Sequence, residues 1–148
     1  MVSTSGESVH GPSASIRLGL IPLVARLLMT AEFLIAAYSK AFGWSDQAAY
    51  MSAKGMSHIA VLLAIALVIE AVGSLCLIAG FMTRPAAAIM FVYLGIVSVR
   101  MHAFWTMSSN AAAMNQTEFF KNLGMMSGLL MFAVYGAGTW ALDARRAR

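Results

Sequence analysis

The stretch IAVLLAIALVIEAVGSLCLIAGFM, residues 59–82, decides the fold. It is apolar throughout except for a single charge, Glu70, near its centre. The hydrocarbon core of a bilayer takes about 20 apolar residues of helix, and this run is long enough to cross it. A carboxylate at mid-depth costs about 2.5–3.5 kcal/mol on insertion scales. Such a residue faces the interior of a helix bundle and finds a cationic or hydrogen-bonding partner. It marks either a site or a buried structural contact, and we read Glu70 as a site.

The rest of the chain has the same character. Its 148 residues are 60% hydrophobic and 11% charged, against about 25% charged in soluble domains. Mean hydropathy is +0.77. This composition excludes a soluble catalytic domain and points to an all-α integral membrane protein. The net charge of +4 does not point to nucleic acid, because the basic residues fall at segment ends rather than in one stripe. They suit anchoring against anionic lipid. The lone cysteine, Cys76, lies inside an apolar segment and reads as a small buried hydrophobe. Residues 1–17, rich in Ser and Gly, read as a disordered cytoplasmic tail rather than a signal peptide. Residues 144–148 form a basic C-terminal tail.

Between the tails, residues 18–143 divide into four apolar spans at about 18–42, 58–81, 85–105 and 119–142. Residues 43–57 and 106–118 are polar loops, and Met82-Thr83-Arg84-Pro85 is a tight turn. Pro85 suits the first position of a helix, where its missing donor costs nothing. The expected fold is an up-down-up-down four-helix bundle. Arg17, Arg84, Arg145, Arg146 and Arg148 share one side, so the positive-inside rule puts both termini in the cytoplasm. Gly124 and Gly128 give a small-xxx-small pattern, read as packing within the bundle, with a homo-oligomer seam as the alternative.

Helical phase decides which polar groups share a face. Arg26, Phe33, Ala37 and Lys40 lie near one line, and Glu70 shares a stripe with Gly73 and Leu77. Arg100 and His102 are about 200° apart and cannot both face the bundle centre. Arg100 lines up with Tyr93, His102 with Gly95 and Ser98, and Lys121 with Gly124, Gly128 and Tyr135. With the orientation above, Lys40, Arg100, His102, Lys121 and Asn122 lie near the outer end, while Glu32 and Glu70 lie at mid-depth. The expectation is a basic mouth over carboxylates, with Arg100 paired to Glu70 or Glu32. Lys40 and Lys121 either join that mouth or snorkel outward.

A small anion or a quinone head group fits such a mouth, and a quinone makes the more specific demands. It needs an apolar slot, hydrogen-bond donors for its oxygens and a proton path. His102, Lys121, Asn122, Tyr93 and Trp105 are donors, and Glu70 can relay protons. Met51, Met56, His58, Met101, His102, Met107 and Met114 also fall on the outer side and offer Cu(I) ligands as an alternative, without a tight repeated spacing. No haem-attachment, flavin or zinc motif is present, so none of these is expected as a tightly bound cofactor.

These segments together resemble the DoxX family of small four-helix membrane proteins. The resemblance rests on Arg26-Leu27-Leu28, Phe33-Leu34 and Lys40; on Glu70-Ala71-Val72-Gly73-Ser74-Leu75 and Gly80-Phe81-Met82-Thr83-Arg84-Pro85-Ala86; on His102; and on the close Gly136-Ala137-Gly138-Thr139-Trp140-Ala141-Leu142-Asp143. Glu32, Ala37 and Ala141 depart from the family pattern, and Glu32 adds a second carboxylate. The resemblance implies a bacterial inner-membrane subunit of a redox system, of the thiosulfate:quinone type. It implies Lys40, Glu70 and His102 as catalytic residues, and the reading of the residues adds Arg100, Lys121, Asn122 and Tyr93 around a quinone. It also implies a soluble or membrane redox partner protein, and Arg84 and Asp143 as residues that fix helix ends. The alternatives are a non-catalytic scaffold that recruits redox enzymes and a small transporter or copper-handling protein.

Overall fold

The computed structural model describes residues 12–146, with side chains from residue 19 onward except at Ser109. All regular structure among these residues is helical: α1 (Pro12–Phe42), α2 (Trp44–Ala53), α3 (Ile59–Ala79), α4 (Thr83–Met101), a 3₁₀ turn (Phe104–Thr106), α5 (Ser109–Tyr135) and α6 (Leu142–Arg146). Residues 1–11 of the expected tail lie outside the described residues, and α1 begins at Pro12, ahead of the expected 18.

Three helices are long and apolar enough to cross a membrane: Gly19–Phe42, Ile59–Ala79 and Thr83–Thr106. The fourth differs from its sequence-based boundaries. It starts at Ser109, well before 119, and ends at Tyr135, where Gly136 turns the chain at φ 81°. Its 27 residues have the length for a span, but Asn115, Gln116, Glu118, Lys121 and Asn122 make its first half polar. The loop expected over 43–57 is also partly helical. α2 occupies most of it and buries Met51 against α1 and α3.

The α3–α4 turn follows from its residues. Gly80 adopts φ 65°, and the N–H groups of Gly80 and Phe81 bond the carbonyls of Leu77 and Cys76, closing the last turn of α3. Thr83 opens α4, so Pro85 falls in its first turn rather than at its first position, and its missing donor is equally harmless there.

Lipid offers no hydrophobic force to drive helices together, so close packing and polar contacts hold them. α1 packs on α3, α3 on α4, and α4 on α5, whereas α1 and α5 touch only sparsely. Phe33, Leu77, Ala87, Met90, Leu94, Leu129 and Phe132 fill the core. A Cβ on Gly73 would run into Met90, so that glycine admits the methionine. The expected stripe on α5 is not its packed face, since Lys121, Gly124 and Tyr135 are exposed while Asn122, Leu129 and Phe132 are buried. Gly128 does meet Met29 of α1.

Candidate functional site

Glu70 lies about halfway along α3 and is 3% exposed. Lys40, in the last turn of α1, turns inward rather than snorkelling out. Its Nζ donates to Glu70 Oε1 at 2.8 Å and to the Ala36 carbonyl at 3.4 Å. The Tyr93 hydroxyl, on α4, donates to the same Oε1 at 2.6 Å. Three helices therefore converge on one carboxylate oxygen. The other, Oε2, is buried with no hydrogen-bond partner among the described residues. Ser74 Oγ, one turn further along α3, is in the same condition. A buried acceptor left unpaired costs free energy, and a ligand donor would recover it.

Beside this cluster is a cavity of about 760 Å³, within the range of small-molecule sites. Lys40, Glu70 and Tyr93 line it, and so do Arg100, His102, Lys121 and Asn122. The residues put forward from the sequence thus share one space, except Trp105, which is exposed and does not line it, and they do not meet in the expected pairs. Arg100 is exposed and bonds neither Glu70 nor Glu32. The physical reason is phase: its turn of α4 buries Ser98 and leaves Arg100 on the outward edge. Lys121 is half-exposed and bridges Glu32 at 2.8 Å and Glu118 at 2.6 Å. Glu32 is therefore a surface partner of α5 rather than a second buried acid. His102 is half-buried, with Nδ1 3.1 Å from Asn115 Oδ1, and Asn122 is buried in the wall. α2 contributes Gln47, Tyr50 and Met51 as a cover. Of the methionines weighed for copper, Met51, Met56 and Met101 line the cavity.

A second polar cluster lies at the far end, where the middle of α1 passes the α3–α4 hairpin. Arg26 is 0% exposed, yet sequence reasoning gave it no role. Its guanidinium donates to the carbonyls of Leu77 (3.1 Å), Ile78 (3.2 Å) and Trp140 (2.5 Å). It caps the negative end of α3 and ties it to the segment after α5. The signal was available: an arginine in the phase of Phe33 and Ala37, both buried, must find carbonyls if it finds no acid. Asp143 completes the clamp. Its carboxylate accepts the N–H groups of Met82 and Thr83, both at 2.9 Å, at the start of α4. Burial alone would push that carboxyl up. The hydrogen bonds from Thr83 and Met82, with Arg146 nearby, hold it below its ordinary value instead. Asp143 thus does what the resemblance implied. Gly136 and Gly138, both at φ 81°, let the chain turn back toward the hairpin.

A family model described as DoxX matches residues 21–103. Among curated proteins, the chain is similar to inner membrane protein YphA of Escherichia coli (strain K12), 30% identical over 83% of this chain and 88% of that one. It is also similar to inner membrane protein YqjF of the same organism, 31% identical over 82% and 88%. A weaker likeness, 24% identical over 53% of this chain and 26% of the other, is to ER-derived vesicles protein ERV29 of Saccharomyces cerevisiae. No solved structure matches.

Proposed function

The chain belongs to the DoxX family, and from that premise we propose that it is a multi-pass inner-membrane subunit of a redox system, binding a quinone-type head group in the cavity beside Glu70. The inner-membrane names of YphA and YqjF and the three apolar spans support the location. The four long helices run up-down-up-down with α5 as the fourth span. Asp143 on the α3–α4 hairpin supports this, because it brings the chain end after α5 to the same side as that hairpin. Arg84, Arg145 and Arg146 gather there, so the positive-inside rule makes it the cytoplasmic side. The cavity then lies toward the extracytoplasmic rim, under α2.

One observation carries the reading: a carboxylate, Glu70, that lines a largely apolar cavity and has one buried oxygen unpaired among the described residues. A quinone bound there supplies a lipid-soluble couple of two electrons and two protons. Lys40 and Tyr93 hold Glu70 Oε1, which fixes the carboxylate and leaves Oε2 to accept a hydrogen bond. A quinone carbonyl is no donor, whereas the hydroxyl of the reduced form is, so an acceptor at Glu70 favours the quinol. Lys40 compensates the charge of Glu70 in a medium where a lone ion is costly. The electrons pass to or from a partner protein.

The test is purification in detergent with native lipid, followed by extraction and assay for quinone. Quinone should co-purify with the native chain and be depleted in Glu70→Gln, with folding verified by thermal melting. Equal quinone in both would refute the reading. Recovery of a soluble redox enzyme without any quinone would favour the scaffold instead.

A further inference from the structure

The cavity wall opens outward in more than one place, and one of these openings is apolar. Ile65 of α3 lines the cavity and is 50% exposed, and so do Ile89, Val92 and Ile96 of α4, at 58%, 59% and 60%. A side chain lines an internal space and faces outward at once only where that space opens. The three on α4 follow the i, i+3, i+7 spacing of one stripe, and Ile65 sits one turn before Ile69, another lining residue of α3. The opening is a slot between α3 and α4, and its edges are wholly apolar. These helices pack on each other less closely than α1 on α3 or α4 on α5, although a tight turn joins them. Both are apolar spans, so the slot meets hydrocarbon rather than water.

The other side of the cavity is different. Where α1 faces α5 the helices touch sparsely, and Glu32, Glu118 and Lys121 line the cavity and are at least partly exposed, so it opens there too, but at an edge that is charged and cross-linked by Lys121. α2 covers the rim. Tyr93 lies between Val92 and Ile96 in sequence and reaches Glu70. The distance from the polar cluster to the slot is therefore about one helical turn along α4.

We infer that the cavity takes its ligand sideways from the bilayer through the α3–α4 slot, and that the ligand is a long-tailed amphiphile. Its hydroxyl-bearing head rests against Glu70, and its tail runs out over Ile89, Val92 and Ile96. This inference rests on the reading that a polar head binds beside Glu70. It adds the entry route and the gain in affinity from a single apolar tail. A water-borne ligand has no use for an apolar slot. A two-chain lipid left outside has no reason to meet a buried carboxylate.

The experiment uses the full chain in nanodiscs and two probes: a long-tailed quinol and the same head without a tail. Binding of each is measured to the native protein, to Ile89→Trp/Ile96→Trp and to Glu70→Gln. The tryptophans fill the slot from exposed positions one turn on either side of Tyr93, and the tailless probe reports whether the polar cluster is disturbed. The slot variant should weaken the long-tailed probe by about tenfold or more and leave the tailless one within about twofold. Glu70→Gln should weaken both. Unchanged long-tail binding in the slot variant overturns the inference while the head site stands. Equal loss of both probes from a variant with native melting also overturns it, because the slot would then belong to the head pocket. Failure of both probes to bind the native protein overturns the head site and the inference together. As an independent readout, a benzophenone side chain at Ile96 should cross-link the tail, and one at Leu130, exposed on α5 away from the cavity, should not. Equal labelling at both positions counts against the slot.

Discussion

Lys40→Met should be among the most damaging substitutions in the protein, and Lys40→Met/Glu70→Gln should be milder than Lys40→Met alone. The Lys40–Glu70 pair is 2.8 Å apart, with side chains 15% and 4% exposed. Removing the lysine strands the carboxylate at mid-helix, where only Tyr93 still bonds it. Breaking a buried pair from one side costs about 3–5 kcal/mol. Removing the acid strands less. Lys40 sits in the last turn of α1, keeps the Ala36 carbonyl, and can turn its stem toward the rim. Glu70→Gln also keeps an acceptor for Tyr93, so its cost should be about 1–2 kcal/mol. In the double variant no charge is left behind, and the cost should stay at about 1–2 kcal/mol, giving a coupling of about 4 kcal/mol. Unfolding free energies from SDS titration in mixed micelles, followed by circular dichroism, give all the corners of the cycle. A Lys40→Met variant within about 1 kcal/mol of native, or strictly additive costs, would refute the buried pair and with it the site.

Other outcomes test the frame around the site. Arg26→Lys should cost about 3 kcal/mol or more in the same titration. One ammonium cannot span the carbonyls of Leu77, Ile78 and Trp140, and each lost bond to a charged donor is worth about 1.5–3 kcal/mol. Gly80→Ala should lower the melting temperature, since its φ of 65° and the nearby Ala141 and Arg26 leave no room for a Cβ. Gly124→Ala has open space around it and should be neutral or stabilising by about 0.5–1 kcal/mol; a clear loss would place a second chain against that glycine. The Asp143 carboxyl is held below its ordinary value of 3.8, so its stabilisation should be complete above that pH and fall away as the pH drops below it. Melting scans between pH 6 and 3 should show this component in the native chain and not in Asp143→Asn.

The clamp and the chamber divide the recognisable motifs between them. Arg26, Gly80 and Asp143 hold the hairpin end, and Lys40, Glu70 and Tyr93 form the polar chamber. The chamber keeps an unpaired oxygen while the clamp satisfies its groups with backbone partners, Thr83 Oγ1 excepted. A stable end and an unsatisfied interior are what a bundle needs to present a site within lipid.

The amino-acid sequence by itself determined the helical class, the membrane setting and the acid at the centre. Apolar run length and the cost of a charge in hydrocarbon are local quantities, readable residue by residue. Phase along one helix was legible too, which is why Phe33, Ala37 and Leu77 are buried as expected. What passes between helices was not. Only the tertiary structure decided that Lys40 turns inward to Glu70, that Arg100 pairs with neither carboxylate, that Glu32 serves Lys121, and that Arg26 caps α3. It also decided that α5 starts at Ser109 and that the α3–α4 seam opens. The physical reason is that a long charged side chain reaches several partners at similar cost, so the choice depends on relative helix depth and rotation, which no periodicity within one helix encodes.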